Sequence, residues 1–256
     1  MTHPYWVAFS SIVIKEVKRF LRIWPQTLLP PAITMVLYFV IFGNLIGSRI
    51  GEMGGFDYMQ FIVPGLIMMT VITNSYGNVS SSFFSNKFQR SLEELLVAPV
   101  PNWVILSGFV IGGVARGIAC GLIVMLLSLW FSKLHISNIA VTLSVILMTA
   151  VVFSIAGLIN AIFATKFDDV TIVPTFILTP LTYLGGVFYS VSLLPEVWQW
   201  VSKLNPILYM VNTFRYGIIG VSDIPVGFAY IMLTLFVLVL GSWAMYLLNT
   251  GRGLRT

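Results

Sequence analysis

Residues 103–131 read WVILSGFVIGGVARGIACGLIVMLLSLWF, 29 residues with one charged side chain, Arg116. As an α-helix this stretch is about 43 Å long at 1.5 Å per residue, enough to cross a hydrocarbon core ~30 Å thick. Its neighbours repeat the pattern. No Asp, Glu, Lys or Arg occurs in 23–48, 58–86, 136–165, 170–195 or 224–251. The intervals predict six spans, at about 26–47, 58–80, 103–131, 137–164, 170–189 and 225–248, which put both termini on one side. Composition points the same way, with 58% apolar and 9% charged residues against roughly 45–50% and about 25% for a soluble domain. So few charges cannot cover a water-facing surface of this size, which excludes a soluble globule.

A net charge of +5 raises the question of nucleic acid, but the cations lie between apolar runs and never gather beside stacking aromatics. No nucleic-acid partner is expected; orientation in a bilayer is the better use for them. With the N-terminus inside, Lys15, Lys18, Arg19, Arg22, Lys87, Arg90, Lys166, Arg252 and Arg255 are cytoplasmic. Arg49, Lys133, Lys203 and Arg215 lie opposite, and Arg116 completes the 14. The bias of cations toward the inner side favours this orientation, with both ends cytoplasmic. The run 23–48 is too long for a signal-peptide core and no small-x-small site follows it, so it is expected to stay in the mature chain. The lone Cys120 has no disulfide partner.

From Trp6 to Trp24 the residues Trp6, Phe9, Val13, Val17, Phe20 and Trp24 recur at helical spacing, with Lys15, Lys18, Arg19 and Arg22 on the opposite arc. Residues 1–24 form either an interfacial helix, aromatic face in the acyl boundary and cations among headgroups, or a solvated basic flank. Pro25, Pro30 and Pro31 then suit a bend into the membrane.

Arg116 lies about 20 Å along its span from Trp103, where it must face protein or water. It has either an internal structural partner or an anionic or zwitterionic substrate headgroup. Gly108, Gly112, Gly113, Gly117 and Gly121 around it form small-xxx-small steps that let a neighbouring backbone come close. The second span turns polar at Asn74, Ser75, Asn78, Ser80, Ser81 and Ser82. The serines read as the emerging loop; Asn74 and Ser75 either join that loop or line a path at a dimer seam.

Phe84 to Pro101 is the most polar connection, yet Phe84, Phe88, Leu92, Leu95 and Leu96 share one helical face, and Lys87, Arg90, Glu93 and Glu94 the other. The pattern predicts an amphipathic helix over 84–98, with an Arg90–Glu94 pair at i,i+4 and a stop at Pro99 and Pro101. It either offers its charged face to a soluble partner or is a solvated connector. Pro174, Pro180, Gly185 and Gly186 predict a kink in the fifth span. Residues 190–222 are too polar to cross and are broken at Asn205-Pro206. They fit a re-entrant or interfacial hairpin on the outer side, with Trp198 and Trp200 at headgroup level. Arg215, a cation in the apolar run 206–221, needs headgroup phosphates, Tyr209 or a carboxylate, whether it supports the hairpin or touches substrate.

None of the six lysines follows a glycine, so the phosphate-cradling G-x-x-x-x-G-K-[ST] loop is missing. His3 and His135 lie outside the spans and no acid lies near a span centre, which leaves catalysis, a metal site and proton coupling without their residues. The chain is expected to be no enzyme and to bind no cofactor of its own.

Residues 91–99, Ser-Leu-Glu-Glu-Leu-Leu-Val-Ala-Pro, resemble the Thr-x-Glu-x-Leu…Pro segment of ABC-2 type export permeases. That family often has a Gly before the Thr, where this chain has Arg90. The last third resembles the family signature at Leu178, Leu181, Leu184, Gly185, Val187, Leu194, Pro195, Pro206, Ile207, Tyr209 and Arg215. The resemblance implies an all-α polytopic membrane domain over 25–250, followed by a cytoplasmic tail at 251–256. It has six transmembrane helices with an N-terminal interfacial helix, a cytoplasmic coupling helix and an extracytoplasmic re-entrant hairpin before the last span. It also implies a second copy of the chain and two copies of a separate ABC ATPase that uses ATP. Arg90, Ser91, Glu93, Glu94 and Leu95 then become the ATPase-coupling interface, and Asn205, Pro206, Tyr209 and Arg215 the structure of the hairpin. Arg116, Asn74 and Ser75 are the candidates for the substrate path. Six spans and a docking loop also suit an ATP-independent channel or a membrane anchor.

Overall fold

The computed structural model describes residues 4–133 and 136–254. His3, His135 and Arg255 lie outside them. Helix α1, Pro4–Arg22, leads into a bent run of α2 (Trp24–Thr27), α3 (Leu29–Tyr38), a π-helical segment Phe39–Ile46 and α4 (Gly47–Ile50). Pro25 and Pro30 occupy the second positions of α2 and α3, where a missing N–H costs nothing. A two-residue hairpin, β1 (Glu52–Met53) with β2 (Phe56–Asp57), turns through Gly54 and Gly55 at φ 63° and 82°, which only glycine adopts without strain. Asp57 then caps α5, Tyr58–Phe88, by accepting from Met59 N at 3.2 Å.

The remaining helices are α6 (Ser91–Val97), α7 (Asn102–Ser128), α8 (Ile139–Phe163), α9 (Phe167–Val173), α10 (Thr179–Tyr183), α11 (Glu196–Lys203), α12 (Pro206–Ile219) and α13 (Val226–Thr250). Five runs are long and apolar enough to cross a membrane: Trp24–Gly43, α5, α7, α8 and α13. The protein is an all-α multi-pass membrane protein. The run expected at 170–189 is instead Phe167–Tyr183, with a π-helical segment Pro174–Leu178 between α9 and α10. Its kink follows from Pro174 and Pro180, whose rings cannot donate to the helical ladder. Gly185 and Gly186 lie beyond it in a turn, Gly186 at φ 70°.

Helix α5 is the axis of the packing. Buried residues run along it from Tyr58 to Phe84, and α7, α8 and α12 lie against it. Gly157 of α8 permits the tightest backbone approach, since a Cβ there would sit 2.5 Å from Tyr76 O and 3.3 Å from Ser80 N. Because backbone atoms cannot swing aside, Gly157→Ala is expected to cost about 1–3 kcal/mol through overpacking. Thermal unfolding in detergent measures it; an unchanged midpoint contradicts the close approach.

Several expectations are corrected here. Ser80, Ser81 and Ser82 belong to α5, and Ser80 and Ser82 are buried rather than part of an emerging loop. The amphipathic helix expected over 84–98 is divided: residues 84–88 end α5, and the short helix begins at Ser91. The aromatic stripe of α1 does not act as one face. Trp6 and Trp24 are exposed while Phe20 is buried, and the inward stripe is Ile12, Glu16 and Phe20 at i, i+4 and i+8. A Cβ on Gly108 would meet Ile12, and one on Gly112 would meet Glu16, so α1 lies lengthwise along α7. Two of the expected glycine steps thus receive α1, and Gly117, facing Ser75, receives α5.

The segment 190–222 does break at Asn205-Pro206, but α12 is buried along most of its length against α5, α8 and α13. Arg215 is held by backbone carbonyls and not by Tyr209 or a carboxylate. Its Nε donates to Phe61 O at 3.2 Å and its Nη2 to Gly186 O at 2.6 Å, with the guanidinium 3.8 Å from the Phe61 ring centroid. Tyr209 instead donates to Lys203 O at 2.6 Å. Asn205 caps α12 through Ile207 N at 3.0 Å and donates to Leu181 O, while Pro206 takes the first helical position.

Candidate functional site: the short helix and the polar stripe behind it

Helix α6 is positioned by a chain reversal at Arg90. Its φ of 60° is the only positive value at a non-glycine among the described residues. Left-handed backbone costs a side-chain-bearing residue roughly 1–2 kcal/mol, so this is where a glycine is the unstrained choice. The expected Arg90–Glu94 pair does not form, because Arg90 is the N-cap of α6 and not part of its helical face. Arg90→Gly is expected to leave stability unchanged or raise it by up to about 1 kcal/mol, and Arg90→Val to lower it by about 1–2 kcal/mol. Thermal midpoints of the two purified variants decide; a destabilised glycine variant contradicts the strain at this turn.

Leu92 anchors α6 at 2% exposure, and Leu95 and Leu96 pack against the core. Ser91 Oγ lies 3.2 Å from both Asn86 O and Asn86 Oδ1, which ties the helix to the end of α5. Glu93 and Glu94, in the first turn, face solvent, and Val97 is 87% exposed. Beneath them Lys87 Nζ donates to Ile162 O at 2.6 Å and Ala164 O at 2.9 Å, filling carbonyls that the end of α8 leaves without partners. Phe167 of α9 closes on Phe84 and Phe88, with ring centroids 4.9 and 5.0 Å away. Beside α6, a cleft of about 560 Å³ opens between Glu93, Val97, Asn102, Leu248 and Leu254. Asn102 and Asn249 join across its floor at 2.8 Å.

Behind α6 a polar stripe climbs α5 at every fourth residue: Asn86, Ser82, Asn78 and Asn74. Each holds a charged side chain from another helix. Lys15 Nζ donates to Asn86 Oδ1 at 2.7 Å, and Ser82 Oγ donates to Glu16 Oε1 at 2.7 Å. Arg19 Nη2 donates to Asn78 Oδ1 at 2.8 Å, and Arg116 Nη2 to Asn74 Oδ1 at 3.3 Å. Glu16 is fully buried, with Oε2 3.5 Å from Arg19 Nε. Ser75 is also fully buried, its Oγ opposite Gly117.

The structure therefore joins Arg90, Ser91, Glu93, Glu94 and Leu95 around the start of α6, and Arg116 with Asn74 in another place three to four turns up α5. Arg215 lies toward the opposite end of α5, at Phe61, while Asn205 and Tyr209 bond elsewhere, to Leu181 O and Lys203 O. Two residues escaped the sequence reading. Glu16 was visible as an acid in register with Ile12 and Phe20. Asp223 accepts from Ser190 Oγ at 2.8 Å and Val191 N at 3.2 Å, a contact across 33 residues that no local pattern signals.

Comparison with known proteins places these features. The family model for the ABC-2 type transporter matches residues 7–219. The chain is 58% identical, over the full length of both proteins, to a protein named inner membrane transport permease YadH in Escherichia coli (strain K12), and equally to its namesake in Shigella flexneri. It is 23% identical to nodulation protein J of Sinorhizobium fredii (strain NBRC 101917 / NGR234), over 66% of this chain and 65% of that one. A match over most of the chain, joined to a full-length relative of this similarity, means that the protein belongs to the ABC-2 type transporter family.

Proposed function

We propose that the chain is the permease subunit of an ATP-binding-cassette exporter in a bacterial inner membrane, with both termini cytoplasmic. Energy comes from ATP hydrolysed by a separate ATPase subunit; this chain gates and binds no cofactor itself. Two copies of the chain pair with two ATPases. Phe167–Tyr183 completes six spans by crossing together with the turn that follows it, and α11 with α12 forms the outer re-entrant hairpin. Domain limits follow as α1 for 1–24, the transporter domain for 25–250 and the tail for 251–256. Family membership and the relatives' names support transport and the inner membrane.

The observation that carries coupling is α6 itself. It presents two carboxylates and an 87%-exposed valine outward, while Leu92 is buried in the core and Ser91 fastens it to the end of α5. A push on such a helix is transmitted, because its inner side is packed and its outer side is free. Arg116, with Asn74 beside it, borders the substrate path, and Ser75 sets the α5–α7 spacing there.

Photo-crosslinking from position 97 in cells tests the coupling. The expected product is an adduct with an ATP-hydrolysing subunit, absent when the probe is moved to Leu238, an exposed residue midway along α13. Equal yields from both positions, or an adduct with no ATPase, contradict it. Vesicles that conduct without ATP favour a channel instead.

A further inference from the structure

Arg19 and Arg116 reach α5 from different helices and bond to asparagines one turn apart, Asn78 and Asn74, whose Cα atoms are about 6 Å from each other. Both guanidinium groups keep a buried Nε with no hydrogen-bond partner, and so does Asn78 Nδ2. Buried donors are costly to leave unused. Two like charges at this separation in a low dielectric also disfavour each other. The carboxylate in contact is that of Glu16, whose Oε1 is already taken by Ser82 and whose Oε2 sits 3.5 Å from Arg19 Nε. Arg19 and Arg116 are each only half-buried.

The depth is informative as well. Helix α5 is about 46 Å long against a hydrocarbon core of ~30 Å. If Tyr58 marks one boundary, the other falls near Asn78, because 20 residues rise about 30 Å. Arg19, bonded to Asn78, then lies at the level of the phospholipid phosphates, and Arg116, bonded to Asn74, about one helical turn inside that level. Beside Glu16 Oε2, itself buried without a hydrogen-bond partner, the arrangement supplies donors from two planar guanidinium forks and an amide. A carboxylate fills one fork, whereas a tetrahedral phosphate has oxygens enough to engage both.

We infer that Arg19 and Arg116, with Asn78 between them, form a binding site for a phosphate group, carried by a lipid headgroup or by a soluble phosphorylated molecule. It rests on the membrane placement proposed above but not on the ATPase partner, so a failed coupling experiment leaves it standing.

The test uses the full chain purified in an uncharged maltoside detergent. Its thermal midpoint is followed against phosphatidylglycerol, diacylglycerol with the same chains, and inorganic phosphate with chloride at equal ionic strength as control. Phosphatidylglycerol is expected to raise the midpoint saturably and diacylglycerol not to. A response to inorganic phosphate as well assigns the site to the phosphate alone; its absence assigns it to the lipid headgroup. Arg116→Gln and Arg19→Gln are expected to weaken the apparent affinity at least about tenfold, the loss of a hydrogen bond to a charged group. Arg116→Lys keeps the charge without the fork and is expected to fall between. Should either glutamine variant fail to fold, the lysine variant and the wild-type lipid comparison still decide. Equal responses to phosphatidylglycerol and diacylglycerol, no response to any phosphate probe, or a folded Arg116→Gln with wild-type affinity overturns the site.

Discussion

Replacing Arg215 with alanine is expected to remove about 3–5 kcal/mol of stability, the cost of emptying the largest fully buried side chain among the described residues. The guanidinium bridges the Phe61 carbonyl of α5 and the Gly186 carbonyl of the turn after α10 while stacking on the Phe61 ring. Phe61 O retains its place in the helical ladder, but Gly186 O loses its donor at a site closed to water. Alanine adds a cavity to that unsatisfied carbonyl. Lysine is expected to cost less than alanine but more than nothing, because one ammonium cannot span two carbonyls as a planar fork does. The thermal midpoint of the purified variant is expected to fall by about 10 °C, or the variant to yield no monodisperse protein. A midpoint within about 2 °C of the wild type contradicts the bridging role. The cation–ring contact at 3.8 Å separates the variants further, since methionine preserves volume but neither the hydrogen bonds nor the charge.

The second large effect is functional. Glu93→Ala combined with Glu94→Ala is expected to lower transport-coupled ATPase activity about tenfold or more, with the thermal midpoint unchanged within about 2 °C. Both side chains are exposed in the first turn of α6, so their removal leaves no cavity and no buried group without a partner. Alanine also keeps the helical propensity. Rates with and without reconstituted permease, measured on the same ATPase preparation, separate coupling from hydrolysis itself. Full stimulation in the double variant means that α6 does not carry the push. A matching loss of stability means that the effect is structural.

Much of the fold was legible because lipid imposes a simple rule. Every spanning helix must be apolar for about 20 residues, so counting between charges located α7, α8 and α13 within a few residues of their ends, and the start of α5. The rule fails where the helix is not regular. Phe167–Tyr183 falls short of a full span because its π segment at Pro174–Leu178 lengthens the path around one turn, and Gly185 with Gly186 ends the run early. Charge counting also says nothing about overhang. Helix α5 runs to Phe88, well past a span's length, and its serines at 80, 81 and 82 looked like a loop because polar residues beyond the lipid boundary no longer obey the apolar rule.

The site was legible in its parts and not in its connections. Glu93, Glu94 and Leu92 were placed correctly on opposite sides of α6 by helical periodicity alone. The departure at Arg90 was visible as a residue type, but its left-handed backbone was not, because torsion is set by the reversal between α5 and α6. The partners of Arg215 and Arg19 were beyond reach for a different reason. Phe61 and Gly186 are separated from Arg215 by 154 and 29 residues, and both offer backbone carbonyls, which every residue has and no sequence pattern marks. Asn74 and Asn78 were noticed as polar residues, yet only the packing of α7 and α1 beside α5 showed which cations they serve.

The claim on which the rest depends is that α6 is a lever on the cytoplasmic surface. A cysteine at position 97 in a chain with Cys120→Ser, treated with a membrane-impermeant maleimide, measures the side directly. Labelling in inside-out vesicles and none in intact spheroplasts is the predicted result. Labelling from outside intact spheroplasts places α6 where no ATPase can reach it, and contradicts the account.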